Sequence, residues 1–302
     1  MSKKLEAYML SKIDRGVLFM LVSALISALN GAIAKVLSED ISALEIVFFR
    51  NVLGVVIILA MLKHTPTNLP GGQLHLLLLR GLLGFSAMIL FFYTITTLPL
   101  GVAITLNKTS PLFVTILAFF ILKEHLNIKG LFSLLIGFLG VALITKPLAL
   151  SFSYEHFLGL LGGLLAAAAY TTIKKIKHLY DARVIVLSFM GMGSLIPLLL
   201  FSISPYVQAP TYLQFLFPEF VWQLSTKSWM LIAAMGVIST LSQYLLTRAY
   251  SNSKAGIIGV ISYTNIPFAI GFGYMLGDAF PDFWSLCGIG CIVLGGLLVK
   301  KG

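Results

Sequence analysis

Long apolar runs recur along the whole chain, and they constrain its fold more than any other feature of the sequence. Each run is close to the roughly 20 residues that an α-helix needs to cross the hydrocarbon core of a bilayer. Charged residues, prolines and glycines separate the runs. We therefore predict ten membrane-spanning helices, at residues 16–37, 42–62, 74–96, 99–122, 128–145, 157–174, 184–203, 228–249, 254–276 and 282–299.

The composition indicates that lipid is the solvent for most of the surface. Hydrophobic residues make up 58% of the 302 residues and charged residues 11%, which is too few charges to cover a soluble globule. The net charge of +10 does not indicate nucleic-acid binding, because no basic cluster is interleaved with aromatic residues in a polar context. The predicted fold class is an all-α integral membrane protein.

The basic residues are distributed unevenly between alternate loops. With a cytoplasmic N-terminus, the external side holds only Lys146 and Lys227. The cytoplasmic segments then hold Lys3, Lys4, Lys12, Arg15, Lys63, Lys123, Lys129, Lys174, Lys175, Lys177, Arg183, Arg248, Lys254, Lys300 and Lys301. The positive-inside rule therefore predicts a multi-pass protein of the cell (inner) membrane, embedded in membrane lipid, with both termini in the cytoplasm.

The two halves of the chain resemble each other. Residues 92–111 align without a gap with residues 248–267, which places the sequence NKTSP opposite the sequence YTNIP. The unit contains five helices, an odd number, so the second copy enters the membrane from the opposite side. We predict two inverted five-helix repeats, at residues 16–145 and 157–299, with residues 204–226 as an external loop in the second.

The repeat also carries shorter matches after the proline-containing helix. LKE at 122–124 corresponds to LGD at 276–278, and LGVAL at 139–143 corresponds to LGGLL at 294–298. Two tandem units of this kind resemble the EamA-type transporters of the drug/metabolite transporter superfamily, over nearly the whole chain. The resemblance implies a ten-helix carrier of a small metabolite, often an exported amino acid, and the long external segment departs from the family's pattern.

Four basic residues lie inside the predicted spans, where a charge at the bilayer centre costs roughly 2.5–3.5 kcal/mol on insertion scales. Lys35 is near the outer end of its helix, so its side chain can reach the interface. Arg50 cannot pair readily with Glu45, because residues five apart point to different sides of a helix. We expect Arg50 to face another helix or a transport path, and Arg80 to act either at the inner mouth or as a topology anchor.

Lys108 is the deepest of the four basic residues. Asn107, Thr109, Ser110 and Pro111 surround it, and proline removes a backbone hydrogen bond while hydroxyl side chains can satisfy the freed groups. This pattern predicts a polar, bent helix at midplane depth, with Lys108 and Asn107 in contact with substrate. The structural alternative is a buried lysine that bonds to carbonyl groups of a neighbouring helix.

The corresponding segment of the second repeat offers hydroxyl and amide groups but no charge. Its polar residues are Tyr263, Thr264 and Asn265, and we expect them to face the Lys108 segment across the repeat axis. Further predicted lining residues of the transport path are Asn30, Tyr93 and Tyr170. For each of these, hydrogen bonding between helices is the alternative role.

The sequence contains no acidic residue at midplane, no phosphate-binding loop, no metal-ligand spacing and no nucleophile–base pair at matching depth. We therefore expect neither cofactor nor metal nor catalysis, and transport that uses a gradient. The predicted function is a secondary transporter, monomeric or homodimeric, that moves a small anionic or zwitterionic metabolite, with amino-acid export favoured. The alternatives are uptake of a nucleoside-like metabolite such as S-adenosylmethionine and, in another class, a lipid flippase or passive channel.

Overall fold

The structure is a computed structural model that describes residues 15–67, 69–98, 100–123, 128–145, 153–221, 223–277 and 282–299. Every regular element within these ranges is an α-helix or a 3₁₀-helix. Some residues used in the orientation and repeat arguments lie outside the described ranges, namely Lys3, Lys4, Lys12, Glu124, Lys146, Asp278, Lys300 and Lys301.

The described residues form an all-α bundle whose helices follow the predicted apolar runs closely. The α-helices are α1 Arg15–Leu37, α2 Ala43–His64, α3 Leu74–Thr97, α4 Leu100–Asn107, α5 Ser110–Leu122, α6 Ile128–Thr145, α7 Tyr154–Ile176, α8 Ala182–Ile203, α9 Thr226–Asn252, α10 Ala255–Ile261, α11 Asn265–Met275 and α12 Phe283–Val299.

Eight segments of the described chain are long and apolar enough to cross a membrane. They comprise α1, α2, α3, α7, α8 and α9, together with the two composite segments 102–121 and 257–275. The helices at the predicted fifth and tenth spans, α6 and α12, are shorter than these eight segments. The 17 residues of α12 measure about 26 Å. This is slightly less than the roughly 30 Å thickness of a bilayer core. With eight segments of this length and apolar character, the protein is a multi-pass membrane protein.

The predicted fourth span is not one continuous helix. It is divided into α4 and α5 by a turn at Lys108 and Thr109. Pro111, the second residue of α5, has no amide hydrogen to donate to the preceding turn. The Thr109 hydroxyl donates to the Leu106 carbonyl at 2.7 Å, so a side chain satisfies a backbone group close to the break.

The predicted ninth span is interrupted in the same way. The 3₁₀-helix Ser262–Thr264 separates α10 from α11, and Pro267 is the third residue of α11. The hydroxyl of Ser262 donates to the Gly259 carbonyl at 2.7 Å, and that of Thr264 donates to the Ile261 carbonyl at 2.8 Å. Both polar breaks therefore lie within membrane-spanning segments.

The two broken segments pack against each other, α4 against α11 and α5 against α10. Around them, α1 packs on α9 and α11, α3 packs on α7 and α8, α2 packs on α8 and α9, and α6 packs on α12. Hydrogen bonds join some of these helices within the membrane, as where the Ser23 hydroxyl donates to the Ser242 carbonyl at 2.8 Å. Such bonds and close packing associate helices where lipid offers no hydrophobic drive.

The segment between α8 and α9 contains the 3₁₀-helices Ser204–Tyr206 and Thr211–Leu216. Contacts with residues near the start of α2 hold this segment against the bundle. Glu45, fully buried, accepts a hydrogen bond from the Val221 amide at 2.7 Å. The Phe220 ring packs against the rings of Phe48 and Phe49. The segment thus lies over the same end of the bundle as the first turn of α2.

Candidate functional site

A small polar cavity lies in the interior of the bundle, next to the break between α4 and α5. Its volume is about 80 Å³. The structure brings seven of the ten predicted site residues to its wall: Asn30, Arg50, Arg80, Asn107, Lys108, Tyr170 and Asn265. These residues come from both halves of the sequence.

Lys108 lies in the turn that separates α4 from α5, and its side chain is 9% exposed. Its backbone amide donates to the Ile104 carbonyl at 2.9 Å, so α4 closes normally before the turn. Gly163 of α7 makes room for this turn, because a methyl group there would lie 3.1 Å from the Leu106 carbonyl oxygen. No residue that the structure describes forms a hydrogen bond or ion pair with the Lys108 ammonium group. The alternative that this group bonds to carbonyls of a neighbouring helix is therefore not seen.

Arg80 is 1% exposed, and its guanidinium group points towards the middle of α3. The group lies beside Gly84, one turn further along the helix, where an added Cβ would overlap Nη1. The carbon Cζ lies 4.8 Å from the centre of the Phe189 ring of α8, a cation–π distance. This orientation disagrees with the topology-anchor alternative, in which the side chain would extend back towards the start of α3.

Arg50 is 4% exposed and reaches the cavity from α2. Its Nη1 donates to the Met88 sulfur at 2.8 Å, and Cζ lies 5.4 Å from the centre of the Phe92 ring. Glu45 does not pair with it, because that carboxylate accepts bonds from Ser42 and from the Val221 amide. Arg50 thus contacts a sulfur atom and an aromatic ring, and no described acidic residue pairs with its positive charge.

Neutral polar groups complete the wall. The Asn265 amide donates to the Ala24 carbonyl at 2.7 Å, whereas the Asn30 Oδ1 atom is buried without a hydrogen-bond partner. Tyr170 stacks on Tyr250 of α9, with ring centres 4.9 Å apart and planes 17° from parallel.

Three predicted site residues lie outside the cavity wall. Tyr263 is fully buried, and its ring packs against Gly137 of α6, where an added Cβ would lie 2.9 Å away. Thr264 uses its hydroxyl on the local carbonyl of Ile261. Tyr93 stacks on Phe215 of the segment between α8 and α9, with ring centres 4.2 Å apart. These contacts explain why the expected facing of the two proline motifs holds for Lys108 and Asn265 but not for Tyr263 or Thr264.

Several lining residues were not predicted. Gly84, Met88 and Phe91 lie on α3 with Arg80. Their spacing of four, eight and eleven residues from Arg80 places all of them on one helix face, so this face could have been extended from Arg80 in the sequence. Phe189 had no such signal, because it is one apolar residue among many in α8.

None of the described residues that line the cavity is acidic. Within the described ranges the one buried carboxylate is Glu45, at the start of α2, and the ion pair between Arg183 and Asp181 lies at the start of α8. No His, Cys, Asp or Glu cluster suited to a metal ion occurs among the described residues. Three buried cations therefore share one cavity with no protein anion to balance them, which is an environment that favours an anionic ligand.

Comparison with known proteins identifies the family. The model of the EamA-like transporter family matches residues 14–146. An uncharacterized transporter of Helicobacter pylori strain 26695 is 32% identical over 94% of each chain. The chain belongs to the EamA-like transporter family. It is therefore a membrane transporter of the drug/metabolite transporter superfamily, as the sequence resemblance implied.

Other family members carry named functions. The pseudopaline exporter CntI of Pseudomonas aeruginosa strain UCBPP-PA14 is 29% identical over 97% of this chain and 99% of its own. The S-adenosylmethionine uptake transporter of Rickettsia prowazekii is 24% identical over 94% of this chain and 92% of its own. A crystal structure with 14% identity superposes with a TM-score of 0.74 over 95% of this chain and 96% of that one. That structure supports the fold alone.

Proposed function

We propose that this transporter is a secondary carrier for a small anionic or zwitterionic metabolite, an amino acid or a related compound, with export favoured. One observation carries the proposal: Arg50, Arg80 and Lys108 line a single buried cavity, and no acidic residue of the described ranges lines it with them. Buried charges in a membrane are costly and mark substrate pathways. A carboxylate or phosphate on the substrate would offset part of this cost each time it binds.

The same charges disfavour an organic cation. A cationic substrate would add a fourth like charge to the cavity, and the interaction between charges is strong where water is scarce. The neutral groups of Asn30, Asn107 and Asn265 can donate and accept hydrogen bonds, so they fit the remaining polar atoms of a metabolite. The cavity therefore discriminates between substrates mainly by their charge and then by their shape.

The packing of the helices supports an architecture of two inverted five-helix halves, at residues 16–145 and 157–299. Exchanging the first half with the second converts the contact of α3 with α7 into that of α9 with α1, and the contact of α3 with α8 into that of α9 with α2. It likewise converts α5 with α10 into α11 with α4. On this architecture α6 and α12 are the fifth and tenth spans.

This arrangement and the size of the cavity support alternating access. At about 80 Å³ the cavity is smaller than the roughly 300–1,000 Å³ of typical small-molecule sites. The segment between α8 and α9 lies over one end of the bundle, and the Tyr170–Tyr250 stack adjoins the cavity wall. The two halves must therefore separate to admit a metabolite, as in carriers whose halves rock around a central site.

We propose that the carrier is a monomer or homodimer of the cell (inner) membrane and that both of its termini lie in the cytoplasm. Basic residues gather where α7 ends and α8 begins. There Arg183 donates to the Thr65 carbonyl at 2.7 Å and Lys177 donates to the Ser251 carbonyl at 3.1 Å. This end of the bundle is the cytoplasmic one under the positive-inside rule.

Uptake of a nucleoside-like metabolite is the second candidate function. Phe91, Tyr170 and Phe189 line the cavity and could stack on a base, and one relative is named as an S-adenosylmethionine uptake transporter. The positively charged sulfonium and ammonium groups of S-adenosylmethionine would be repelled by Arg50, Arg80 and Lys108. An anionic nucleotide-like compound fits the cavity better.

A ligand screen by thermal shift on the purified protein tests the proposal, because a ligand stabilises the state that it binds. The screen compares amino acids, organic anions, nucleotides and organic cations. We expect stabilisation by anionic or zwitterionic compounds, and loss of that stabilisation with Lys108→Ala. Stabilisation by organic cations alone would overturn the electrostatic argument.

A further inference from the structure

We infer that the substrate carries two separate anionic groups, one held by Arg50 and Arg80 and the other by Lys108. This inference rests on the proposed function, because it refines the substrate class of the same cavity. It distinguishes a dicarboxylate or a phosphorylated acid from a simple monocarboxylate or a neutral zwitterion.

The two arginines form one of the two anion positions. They lie on the adjacent helices α2 and α3, and Tyr170 of α7 lines the same cavity. In each arginine the Nε atom is buried without a partner, so a ligand must approach the terminal nitrogens. A guanidinium group presents these nitrogens as a planar fork that matches the two oxygens of a carboxylate or phosphate.

The protein leaves the fork of Arg80 free. The guanidinium group of Arg80 contacts the Phe189 ring and the space above Gly84, and no described residue accepts a hydrogen bond from it. Arg50 uses Nη1 on the weak acceptor Met88 Sδ. Stronger acceptors must come from outside the protein, and an anionic group with two oxygens supplies them.

Lys108 forms the second position. It comes from the turn between α4 and α5 rather than from α2 or α3, and its ammonium group has no hydrogen-bond or ion-pair partner among the described residues. An ammonium group is a compact charge with three donors, which binds one anionic group from any direction. A single carboxylate bound at the arginine fork would leave this charge buried and uncompensated.

The number of positive charges that line the cavity also favours a substrate with two anionic groups. Among the described residues, three cations and no carboxylate line the cavity, so a monocarboxylate leaves two of these positive charges uncompensated and a neutral zwitterion leaves three. A substrate with two anionic groups leaves one. Because each unpaired charge buried in a membrane is costly, the doubly anionic ligand is the one that the cavity stabilises most.

Four-carbon probes of matched length and different charge test the inference directly. Succinate carries two anionic groups, butyrate one, 4-aminobutyrate is a zwitterion, and putrescine carries two cationic groups. Malonate and glutarate vary the distance between two carboxylates. Thermal shift on the full chain in detergent gives the concentration of each probe that produces half of the maximal stabilisation.

We expect the best dicarboxylate to act at concentrations about 10- to 100-fold lower than butyrate, the usual effect of one added hydrogen bond to a charged group. Lys108→Met should remove this advantage, so that the dicarboxylate and butyrate become equal, while Lys108→Arg should retain it. Lys254→Met is the matched control, because Lys254 is exposed in the link between α9 and α10. A melting temperature of Lys108→Met close to wild type without ligand establishes that this variant is folded.

The outcomes distinguish failure of the two-anion inference from failure of the proposed function. Equal potency of butyrate, 4-aminobutyrate and the dicarboxylates in the wild-type protein would overturn the two-anion inference and leave the proposed function intact. Stabilisation by putrescine alone would overturn both. Failure of all three dicarboxylates to stabilise the protein would also overturn the inference, and so would an unchanged dicarboxylate advantage in Lys108→Met.

Discussion

The position of the Arg80 guanidinium group depends on the absence of a side chain at Gly84, and Gly84→Ala tests this dependence. An alanine Cβ at this position would overlap Arg80 Nη1 and would lie 2.6 Å from Phe189 Cδ2. Ordinary carbon–carbon contacts are about 3.5–4.0 Å, so the Phe189 ring or the guanidinium group must move by roughly 1 Å. We expect the flexible arginine to move more than the buried ring.

The expected magnitude follows from the cost of overpacking, about 1–3 kcal/mol for an added carbon in a packed interior. If this cost appears in substrate binding, KM for an anionic substrate rises about 5- to 150-fold, since 1.4 kcal/mol corresponds to a factor of ten. The assay is initial uptake into proteoliposomes over a range of concentrations of the anion identified by thermal shift. The maximal rate should change less than KM, because the added methyl group displaces a proposed substrate-binding group.

Gly191→Ala is the matched control for this substitution. Gly191 also lies in a helix, but an added Cβ there would meet no atom within 4 Å. Alanine is favoured over glycine in helices by roughly 0.5–1 kcal/mol, so this variant should be slightly more stable and should transport normally. Wild-type KM in a folded Gly84→Ala protein would refute the assignment of Arg80 to the substrate site.

Three further predictions concern packing and closure. Ser242→Ala removes the hydrogen bond that the Ser242 hydroxyl donates to the Ser23 carbonyl between α9 and α1, and we expect a loss of about 0.6–1.7 kcal/mol of unfolding free energy, measured in mixed micelles. Glu45→Gln weakens the bond to the Val221 amide, and we expect faster proteolysis of the segment between α8 and α9; an unchanged cleavage rate would show that this bond does not hold the segment in place. Gly163→Ala brings a methyl group against the turn between α4 and α5, and we expect slower transport than in Gly191→Ala; equal rates would exclude close packing there.

The sequence was sufficient to predict an all-α membrane protein and an irregular, polar segment in the fourth span. Apolar runs of bilayer length gave the helix positions, and α2 and α8 begin and end within two residues of the predicted bounds. The polar residues beside Pro111 predicted the bent segment, because proline and hydroxyl residues act on backbone bonds locally. Features that depend on neighbouring residues in the chain were thus accessible without a structure.

Contacts between distant residues were not accessible in this way. The sequence allowed Arg80 to extend towards either end of α3, and the choice depends on Gly84 together with Phe189 from a distant helix. Tyr263 was expected at the cavity because of its place in the repeat, but Gly137 offers its ring a packing site elsewhere. An internal repeat predicts which segments meet, whereas side-chain volumes decide which residues reach the space between them.

Counterflow in proteoliposomes tests the central claim, that a carrier binds an anionic metabolite at the Lys108 cavity, most directly. Vesicles that contain a high concentration of the unlabelled anion receive a trace of the same labelled anion outside, and internal label is followed over time. A carrier with alternating access predicts transient accumulation of label above equilibrium, which Lys108→Ala abolishes and Lys108→Arg retains. Entry of label without accumulation, or accumulation that is unchanged in Lys108→Ala, would contradict the account.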